Sequence, residues 1–340
     1  MNDDNHSGTR PDAWREGWDE GTDSLFEGRT AEPAAATTDY RTLTYEVTGR
    51  IARITFNRPE HGNAITADTP GELTDAVERA DLDPRVHVIL LSGRGKGFCG
   101  GYDLGIFAEN GSQPHVGADP ASGTVIDPVV QARNHNPFGH WDPMADYAMM
   151  SRFNRGFASL LHANKPTVAK IHGFCVAGGT DIALYCDQII AADDTTIGYP
   201  PTRVWGVPAA GMWAHRLGDQ RAKRLLLTGD CIDGRQAAQW GLAVESAPAD
   251  ELDQRAEELA ERIAQMPINQ LMMVKLALNN TLLAQGVHTS TMISTVFDGV
   301  SRHTREGYAF QMRSATAGFR AAVRERDEPF GDHKRPTINR

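Results

Sequence analysis

Apolar and polar positions alternate along two short segments, residues 42–47 and 51–56, on either side of Thr48-Gly49-Arg50. This pattern predicts a β-hairpin. Residues 87–91 form a nearly continuous apolar run, which is typical of a strand buried on both faces of a sheet. Residues 167–171 combine alternation with β-branched side chains and predict a further buried strand, and residues 188–190 predict another.

Helical spacing of apolar residues predicts the other main elements. Residues 70–80 and 180–184 have helix-forming composition, and a core-facing stripe follows Asp142 at a predicted N-cap and Pro143 at the first helical position. That stripe consists of Met150, Phe153, Phe157, Leu160 and Leu161. Four amphipathic helices are predicted near the C-terminus, at about 252–266, 269–284, 289–303 and 308–326. The stretch 105–141 is rich in Gly, Pro, Asn and His and predicts a long loop that shapes a binding pocket.

Two glycine-rich turns follow predicted strands. The first is Gly100-Gly101-Tyr102, and the second is Ala177-Gly178-Gly179 at the start of the 180–184 helix. Backbone N–H groups at a helix start have no partner inside the helix, and glycine lets another atom approach them closely. Each turn alone is explained equally well by a need for positive φ. Together, the two turns can supply one N–H each to a single carbonyl oxygen.

The residues around these turns resemble a known family. The run FCGGYDL at 98–104 looks like the first oxyanion signature of the crotonase (enoyl-CoA hydratase/isomerase) superfamily, and KPT through GFCVAGGTD at 165–181 looks like its second. The resemblance extends from about residue 45 to about residue 330. It implies an α/β fold built as a crotonase-like spiral of ββα units, followed by a helical C-terminal subdomain.

The resemblance also implies a ligand and its contacts. The backbone N–H groups of Tyr102 and Gly178 would hold the carbonyl oxygen of an acyl-CoA thioester. Coenzyme A is then part of the substrate, and no separate cofactor is expected. His61 corresponds to an ordinary loop residue rather than a base. The residues expected to contact coenzyme A are His61, Asn63, Ala64, Cys99, Gly101, Asp103 and Leu104.

The chemistry depends on acids near the thioester. The hydratases of this family use two glutamates, and the matching positions here are Asp181 and Pro201. Proline cannot act as an acid or a base. Asp181 lies in the first turn of a predicted helix, where the helix dipole is expected to favour its ionised form. An ionised Asp181 can serve as general base, or it can merely stabilise the helix start. Tyr199 can orient water, and Arg203 can pair with an acidic acyl group; a structural role fits both.

Three functions fit these residues. The leading hypothesis is an enoyl-CoA hydratase-like lyase of fatty acid metabolism that adds water to a 2-enoyl-CoA, with Asp181 as its acid/base. An enoyl-CoA isomerase or an acyl-CoA thioester hydrolase that uses one carboxylate is the alternative on the same scaffold. A catalytically silent acyl-CoA-binding protein is the alternative of another class, and it is motivated by Pro201.

Composition excludes several classes of protein. The net charge of -10 argues against a nucleic-acid surface, and no apolar run is long enough to predict a membrane span. The four cysteines, at 99, 175, 186 and 231, lack disulfide or zinc spacing and predict a reducing cytoplasmic location. No metal is expected, because His115, His135 and His140 lack ligand spacing and are interpreted as solvated or lid histidines.

The predicted domain organisation has four parts. Residues 1–39 are expected to form a mostly disordered acidic extension, 40–250 the crotonase-like core, 251–330 a C-terminal helical subdomain and 331–340 a polar tail. The resemblance implies a homotrimer or a homohexamer.

Overall fold

A computed structural model describes residues 40–109 and 123–331 of the chain, which mixes strands and helices. The predicted α/β class with a helical C-terminal part is confirmed. His115, the predicted 1–39 extension and all but the first residue of the predicted 331–340 tail lie outside the described residues. The strands are β1 (Leu43–Thr48), β2 (Ile51–Phe56), β3 (Val88–Gly93), β4 (Thr167–Ile171), β5 (Phe174–Val176), β6 (Gln188–Ala192), β7 (Thr196–Gly198), β8 (Cys231–Ile232) and β9 (Glu245–Ala247).

The larger sheet has six strands in the order β1-β2-β3-β4-β6-β9. β1 and β2 form the predicted antiparallel hairpin, and every other neighbouring pair in this sheet is parallel. Residues 88–92 of β3 are buried throughout, as expected for a parallel strand that is covered on both faces. A second sheet has the strand order β5-β7-β8. Its first strand, β5, follows β4 in the chain and leads directly into the second glycine turn.

Twelve α-helices pack around these sheets in the described part of the chain. They are α1 (Thr69–Leu82), α2 (Pro128–Asn134), α3 (Pro143–His162), α4 (Gly178–Leu184), α5 (Ala210–Leu217), α6 (Asp219–Leu226), α7 (Gly234–Trp240), α8 (Leu252–Ala264), α9 (Ile268–Ala284), α10 (Val287–Arg302), α11 (Arg305–Ala317) and α12 (Phe319–Asp327). Short 3-10 turns occupy Pro59–His61, Pro200–Arg203 and Glu328–Phe330, and Gly105–Glu109 forms one π turn.

The prediction for α3 is confirmed in detail. The Asp142 carboxylate accepts a hydrogen bond of 2.9 Å from the N–H of Met144, and Pro143 begins the helix. The predicted stripe of apolar residues is buried against the core. The prediction of a structureless loop over 105–141 is wrong in part, because α2 lies within it. The Asp127 carboxylate caps α2 by accepting from the N–H of Val129.

The C-terminal helices differ from the prediction in one break. The single helix expected over 308–326 is two helices, α11 and α12, which are separated by Gly318 at φ 83°. Glycine populates this left-handed region at little cost, and therefore ends a helix where a side chain would be strained.

Helix α10 turns its polar side inward. Its buried residues include Ser294, Thr295 and Asp298, whereas its apolar residues are among the exposed ones. These exposed residues are Met292, Ile293, Val296, Phe297 and Val300. Together with Met144 and Tyr147 at the start of α3, part of this face lines a groove of about 280 Å³.

Arg203, Asp230 and Asp327 form a buried charge cluster in the C-terminal half. The Arg203 guanidinium lies 3.1 Å from a carboxylate oxygen of Asp327 and 3.4 Å from one of Asp230. Arg326 also holds Asp327 through two hydrogen bonds of 2.8 Å. Burial raises the pKa of Asp327, but the two guanidinium groups outweigh it and leave that pKa below its usual value. Arg203 is therefore held by carboxylates of the fold, which supports the structural role for it.

No helix in the described ranges combines the length and the apolar character needed to cross a membrane.

Candidate active site

The two glycine turns lie side by side because backbone hydrogen bonds join them. The N–H of Cys99 donates to the carbonyl of Phe174 at 3.2 Å, and the N–H of Val176 donates to the carbonyl of Cys99 at 3.1 Å. These bonds form a parallel bridge between Cys99 and Cys175 in β5. The first turn is therefore fixed to the strand that leads into the second.

Both turns need glycine because their backbones approach very closely. A Cβ added at Gly101, which has φ 92°, would lie 2.6 Å from the Cβ of Ala177 and 3.3 Å from the nitrogen of Gly178. A Cβ at Gly179 would lie 2.5 Å from the carbonyl oxygen of Cys99. Ala177, the N-cap of α4, is one of two described non-glycine residues with positive φ, at 53°. Backbone strain of this kind is concentrated at functional sites.

Local hydrogen bonds orient the amide of Tyr102. The N–H of Ile65 donates to the carbonyl of Gly101 at 2.9 Å, and the N–H of Asp103 donates to the carbonyl of Ile65 at 3.0 Å. Ile65 and Tyr102 thus form a parallel β-bridge through the carbonyl of Gly101 and the N–H of Asp103. The N–H of Tyr102 itself is not used in this bridge and points away from Ile65. The N–H of Gly178 lies at the start of α4. Within residues 40–109 and 123–331, neither of these amides has a hydrogen-bond acceptor.

The side chain of Tyr102 forms one wall beside the amides. Its ring packs edge-on against the rings of Phe153 and Phe107, with centroid distances of 5.3 Å and 6.4 Å. A ring carbon of Tyr102 lies 2.9 Å from the position of a Cβ at Gly178, so the ring covers the start of α4. Burial raises the pKa of the Tyr102 hydroxyl well above its usual value, and the charge of Asp181 adds to this effect.

Asp181 is a buried acid in the first turn of α4. One carboxylate oxygen accepts a hydrogen bond of 3.0 Å from the N–H of Ala209, and the Tyr199 hydroxyl faces the carboxyl group. Burial raises the pKa of Asp181 to about 7. The hydrogen bond from Ala209 opposes this shift, the charge of Asp298 adds to it, and the Tyr199 hydroxyl opposes it.

Asp181 is therefore less readily ionised than its position in the first helical turn predicts, because burial outweighs the helix dipole. Helix α4 has only seven residues, and the Asp181 residue retains 4% exposure. Removing a carboxylate from water raises its pKa by several units, whereas a helix terminus contributes much less. No cation in the described part of the chain pairs with Asp181 to reverse the effect of burial.

The structure contains an acid that the sequence interpretation missed. Asp298 of α10 is buried and accepts a hydrogen bond of 3.0 Å from the N–H of Val207. Its charge acts on Asp181, Tyr102 and Tyr199, which places all four groups around one site. The signal available in the sequence is an acid on the polar side of a predicted amphipathic helix, a position that is usually exposed.

The position expected for a second carboxylate is occupied by Pro201 in the 3-10 turn Pro200–Arg203. Its neighbour Tyr199 is buried and reaches Asp181. The loop 204–209 follows this turn, and a Cβ at Gly206 would lie 3.4 Å from the Tyr199 ring. The hydroxyl of Tyr199 is therefore the group from this region that contacts the buried acid.

The residues predicted to contact coenzyme A lie around the first glycine turn. The amide nitrogen of Asn63 donates to the carbonyls of Arg94 and Gly97, at 2.9 Å each, and its oxygen accepts from the N–H of Arg58. The thiol of Cys99 donates to the carbonyl of Asn63. These polar atoms hold the turn in shape, so their direct role in ligand contact is limited.

Arg58 connects two other members of this set. Its guanidinium donates to the carbonyl of Ala64 at 2.7 Å and lies 3.0 Å from a carboxylate oxygen of Asp103. Leu104 follows directly and is partly exposed, and the His61 side chain is 57% exposed at the edge of the same turn. The predicted set is thus brought together in space, with His61 at its solvent side.

The prediction of a solvated or lid histidine is wrong for His135. Its ring packs beside those of Trp205, His303 and Tyr308, and its Nε2 lies 2.6 Å from the carbonyl oxygen of Arg302. Burial lowers the pKa of His135 to about 4, so the ring is neutral at physiological pH. His140 is exposed, as expected. Nowhere in residues 40–109 and 123–331 do three His, Cys, Asp or Glu side chains group as a metal site requires.

Comparison with known proteins gives consistent matches. A model of the enoyl-CoA hydratase/isomerase family matches residues 46–121 and 140–314. The "Probable enoyl-CoA hydratase" of Rhizobium meliloti is 31% identical over 254 residues, which cover 73% of this chain and 86% of that protein.

Solved structures match more extensively. The crystal structure of an enoyl-CoA hydratase from Mycobacterium smegmatis has 65% sequence identity and a TM-score of 0.82, covering 89% of this chain and 100% of that one. An enoyl-CoA hydratase/isomerase from Xanthobacter autotrophicus Py2 has 27% identity and a TM-score of 0.72, covering 86% of this chain and 99% of that one.

Proposed function

This chain belongs to the enoyl-CoA hydratase/isomerase (crotonase) family, and from that membership we propose that it adds water to the double bond of a 2-enoyl-CoA thioester. The family match and the crotonase fold support an acyl-CoA substrate. The observation that carries the proposal is the approach of two amides without acceptors, those of Tyr102 and Gly178, next to a buried acid whose pKa is about 7.

In the proposed reaction the two amides polarise the thioester. The carbonyl oxygen of the substrate accepts one hydrogen bond from the N–H of Tyr102 and one from the N–H of Gly178. As an enolate forms, negative charge collects on that oxygen, and donors already in place stabilise it without reorganisation. Removing one such donor from an enzyme costs about 100- to 1000-fold in kcat.

Asp181 supplies the proton transfers. Its carboxylate takes a proton from water while the water oxygen bonds to the β-carbon and the electrons of the double bond move to the thioester oxygen. The resulting carboxylic acid then gives the proton to the α-carbon as the carbonyl re-forms. One water is added, and Asp181 returns to its starting state. A pKa of about 7 suits both transfers, because the group gains and loses a proton readily near neutral pH.

The first glycine turn provides the proposed surface for coenzyme A. Among the residues predicted to contact coenzyme A, Leu104 is partly exposed at the edge of this turn, and the His61 side chain is more exposed. Asn63 and Arg58 act by shaping the turn. Coenzyme A enters as part of the substrate, and the proposal includes no further cofactor and no metal.

A second candidate function is favoured by Pro201. Of the two positions where the family's hydratases have an acid, only position 181 has a carboxylate here. Asp181 alone can move a proton between two carbons and thereby isomerise a double bond. It can also activate water for thioester hydrolysis. A catalytically silent acyl-CoA-binding protein is the third candidate, and it would bind the thioester without forming product.

A substrate panel separates these functions. The protein is incubated with 2-enoyl-, 3-enoyl- and saturated acyl-CoA esters of several lengths, and the products are identified by mass spectrometry. The proposal predicts a mass gain of one water, about 18 Da, on the 2-enoyl esters. A positional isomer without mass change would indicate isomerisation, and free coenzyme A would indicate hydrolysis. Binding without product on every ester would overturn the enzyme assignment.

We propose further that the protein is a homotrimer or homohexamer in the cytoplasm. The exposed apolar residues of α9 and α10 support association, because surfaces of this kind are typical of protein interfaces. The four cysteines are all buried, and none of them forms a disulfide within the described ranges, which supports a reducing compartment. Light scattering coupled to size-exclusion chromatography tests the assembly; a monomeric mass of about 37 kDa would contradict it.

A further inference from the structure

Asp298 comes from the C-terminal helical part and reaches the site described above. Helix α10 packs against α3 and α5, and its buried side carries Asp298 inward. One carboxylate oxygen of Asp298 accepts a hydrogen bond of 3.0 Å from the N–H of Val207. Val207 belongs to the loop 204–209, which follows the turn that contains Tyr199 and Pro201.

Asp298 and Asp181 hold the same short loop. The N–H of Ala209 donates to Asp181 at 3.0 Å, and the N–H of Val207, two residues earlier, donates to Asp298 at 3.0 Å. Two residues of backbone span at most about 7 Å. The bonded oxygens of the two carboxylates are therefore at most about 13 Å apart, although they come from helices that are more than 100 residues apart in the chain.

The two acids differ in their cations. Arg302, one turn after Asp298, places a guanidinium nitrogen 3.8 Å from its carboxylate. Asp181 has no such partner in the described ranges. When two buried acids interact and only one has a cation, the negative charge stays on the paired acid and the proton stays on the other. Burial raises the pKa of Asp298 as well, but the charge of Arg302 and the hydrogen bond from Val207 oppose that rise. The negative charge is therefore favoured on Asp298, and Asp181 is the member that exchanges protons.

We propose that Asp298 is a positioning residue of this site, which fixes the loop 204–209 against Asp181 and whose negative charge adds to the effect of burial in favouring the protonated form of Asp181. This role rests on the proposed function, in which Asp181 transfers protons. It explains how a site with Pro201 at the usual second-acid position still contains two acids: the second comes from α10 and acts through the first.

Other charged and titratable groups face Asp298 from the elements around it. Arg302 lies on its own helix, and Asp146 of α3 adds negative charge while it is itself held by Arg302 at 3.3 Å and by His303 at 2.8 Å. Tyr102 faces Asp298 from the first glycine turn, and Tyr199 faces it from the start of the Pro200–Arg203 turn. Asp181 faces Asp298 from α4. Both tyrosines have raised pKa values and stay neutral, so Asp298 and Asp181 are the groups whose charges compete.

The test is Asp298→Asn, compared with Ser301→Ala. The asparagine oxygen can still accept from Val207, so the variant removes charge and keeps the hydrogen bond. Ser301 lies on the same helix and its hydroxyl accepts from the N–H of Gly206 at 3.2 Å, so Ser301→Ala weakens the hold on the same loop without a change in charge. The pH profile of kcat/KM on a 2-enoyl-CoA is measured for both variants.

The expected result is a shift in one variant only. Loss of a negative charge lowers the pKa of Asp181, so the rising limb of the profile should move to lower pH by about one unit in Asp298→Asn. In Ser301→Ala the rising limb of the kcat/KM profile should stay at the wild-type pH, whatever that variant does to kcat. If the midpoint pH of this limb is the same in both variants, the proposal is overturned. Should Asp298→Asn not fold, Asp298→Ser removes the same charge and retains an acceptor.

A spectroscopic reading separates this proposal from the proposed function. The carboxyl stretch of Asp181 is followed through pH by infrared difference spectroscopy, with Asp181→Asn as the reference, and this needs no turnover. A lowered midpoint in Asp298→Asn without turnover in any assay would support the role of Asp298 and overturn the hydratase proposal. An unchanged infrared midpoint in an active enzyme would overturn the role of Asp298 alone.

Discussion

Two groups of buried acids in this protein have opposite surroundings. Asp230 and Asp327 enclose the guanidinium of Arg203, and the side chains of all three are less than 10% exposed. Asp181 is equally buried, but its partners are the N–H of Ala209 and the hydroxyl of Tyr199. Burial acts on the two groups in the same direction, and the difference between them lies in the cations.

The outcome differs accordingly. Asp327 has a pKa below its usual value, whereas Asp181 has a pKa of about 7. A neutralised acid holds the fold together and keeps one charge at every physiological pH. An acid without a cation is costly when it is charged, and it exchanges a proton near neutral pH. The comparison shows how burial without a paired cation prepares a carboxylate for proton transfer.

The largest expected effect comes from Asp181→Asn. Because an amide cannot accept the proton of water, kcat/KM on a 2-enoyl-CoA should fall by about 100- to 10,000-fold. Steady-state kinetics measure this loss. Asp233→Asn is the control: Asp233 caps α7 by accepting from the N–H of Gln236, and asparagine caps a helix equally well. Activity retained in Asp181→Asn would show that Asp181 is structural, like the acids around Arg203.

Arg203→Met should affect folding instead. Removing the cation leaves Asp230 and Asp327 buried next to each other with weaker compensation, and the free energy of unfolding should fall by about 3–5 kcal/mol. Urea denaturation measures it. The midpoint of the activity–pH profile should stay where it is in the wild type. A moved midpoint would contradict the separation of the two groups.

The pH dependence of stability sharpens the comparison. The pKa of Asp181 is higher in the folded chain, about 7, than its usual value of 3.8, so the folded state holds this proton more tightly. Asp181 therefore costs stability progressively as pH rises between about 4 and 7. Asp181→Asn lacks this cost, and its stability relative to wild type should increase by about 2–3 kcal/mol from pH 5 to pH 8. Urea denaturation at both values tests this; a constant difference would contradict the raised pKa.

The smallest effect is expected from Arg224→Ala. Arg224 also contacts Asp230, but its side chain is 49% exposed, and water screens the pair. The free energy of unfolding should fall by less than about 1 kcal/mol. The same urea assay compares it with Arg203→Met. A loss as large as that of Arg203→Met would show that exposure does not separate the two partners of Asp230.

Much of the fold follows from local patterns. The β1–β2 hairpin, the strand β4 and the helix α3 with its Asp142 cap are present as predicted, because turn, cap and apolar spacing all lie within the element itself. The break at Gly318 and the helix α2 were missed. Gly318 carried a local signal, since a glycine inside a helical pattern often ends the helix.

The site could be predicted only in part. Sequence placed the two glycine turns and Asp181 together, because each follows a predicted strand. It could not give the charge state of Asp181, which depends on burial by distant residues, or identify Asp298, whose approach depends on which side of α10 faces inward. In an amphipathic helix the apolar side normally faces the core, whereas in α10 the polar residues Ser294, Thr295 and Asp298 are buried. The side chains that surround the site thus depend on tertiary packing, whereas its two glycine turns can be predicted from the local sequence.

The loop 204–209 has a consequence for the order in which the protein matures. The N–H groups of Val207 and Gly206 in this loop donate to the side chains of Asp298 and Ser301. These two residues leave the ribosome almost 100 residues after the loop. A nascent chain that has already formed both sheets and α4 still lacks the outer support of this loop. The wall of the candidate site formed by this loop is therefore completed only after α10 has been synthesised and has docked.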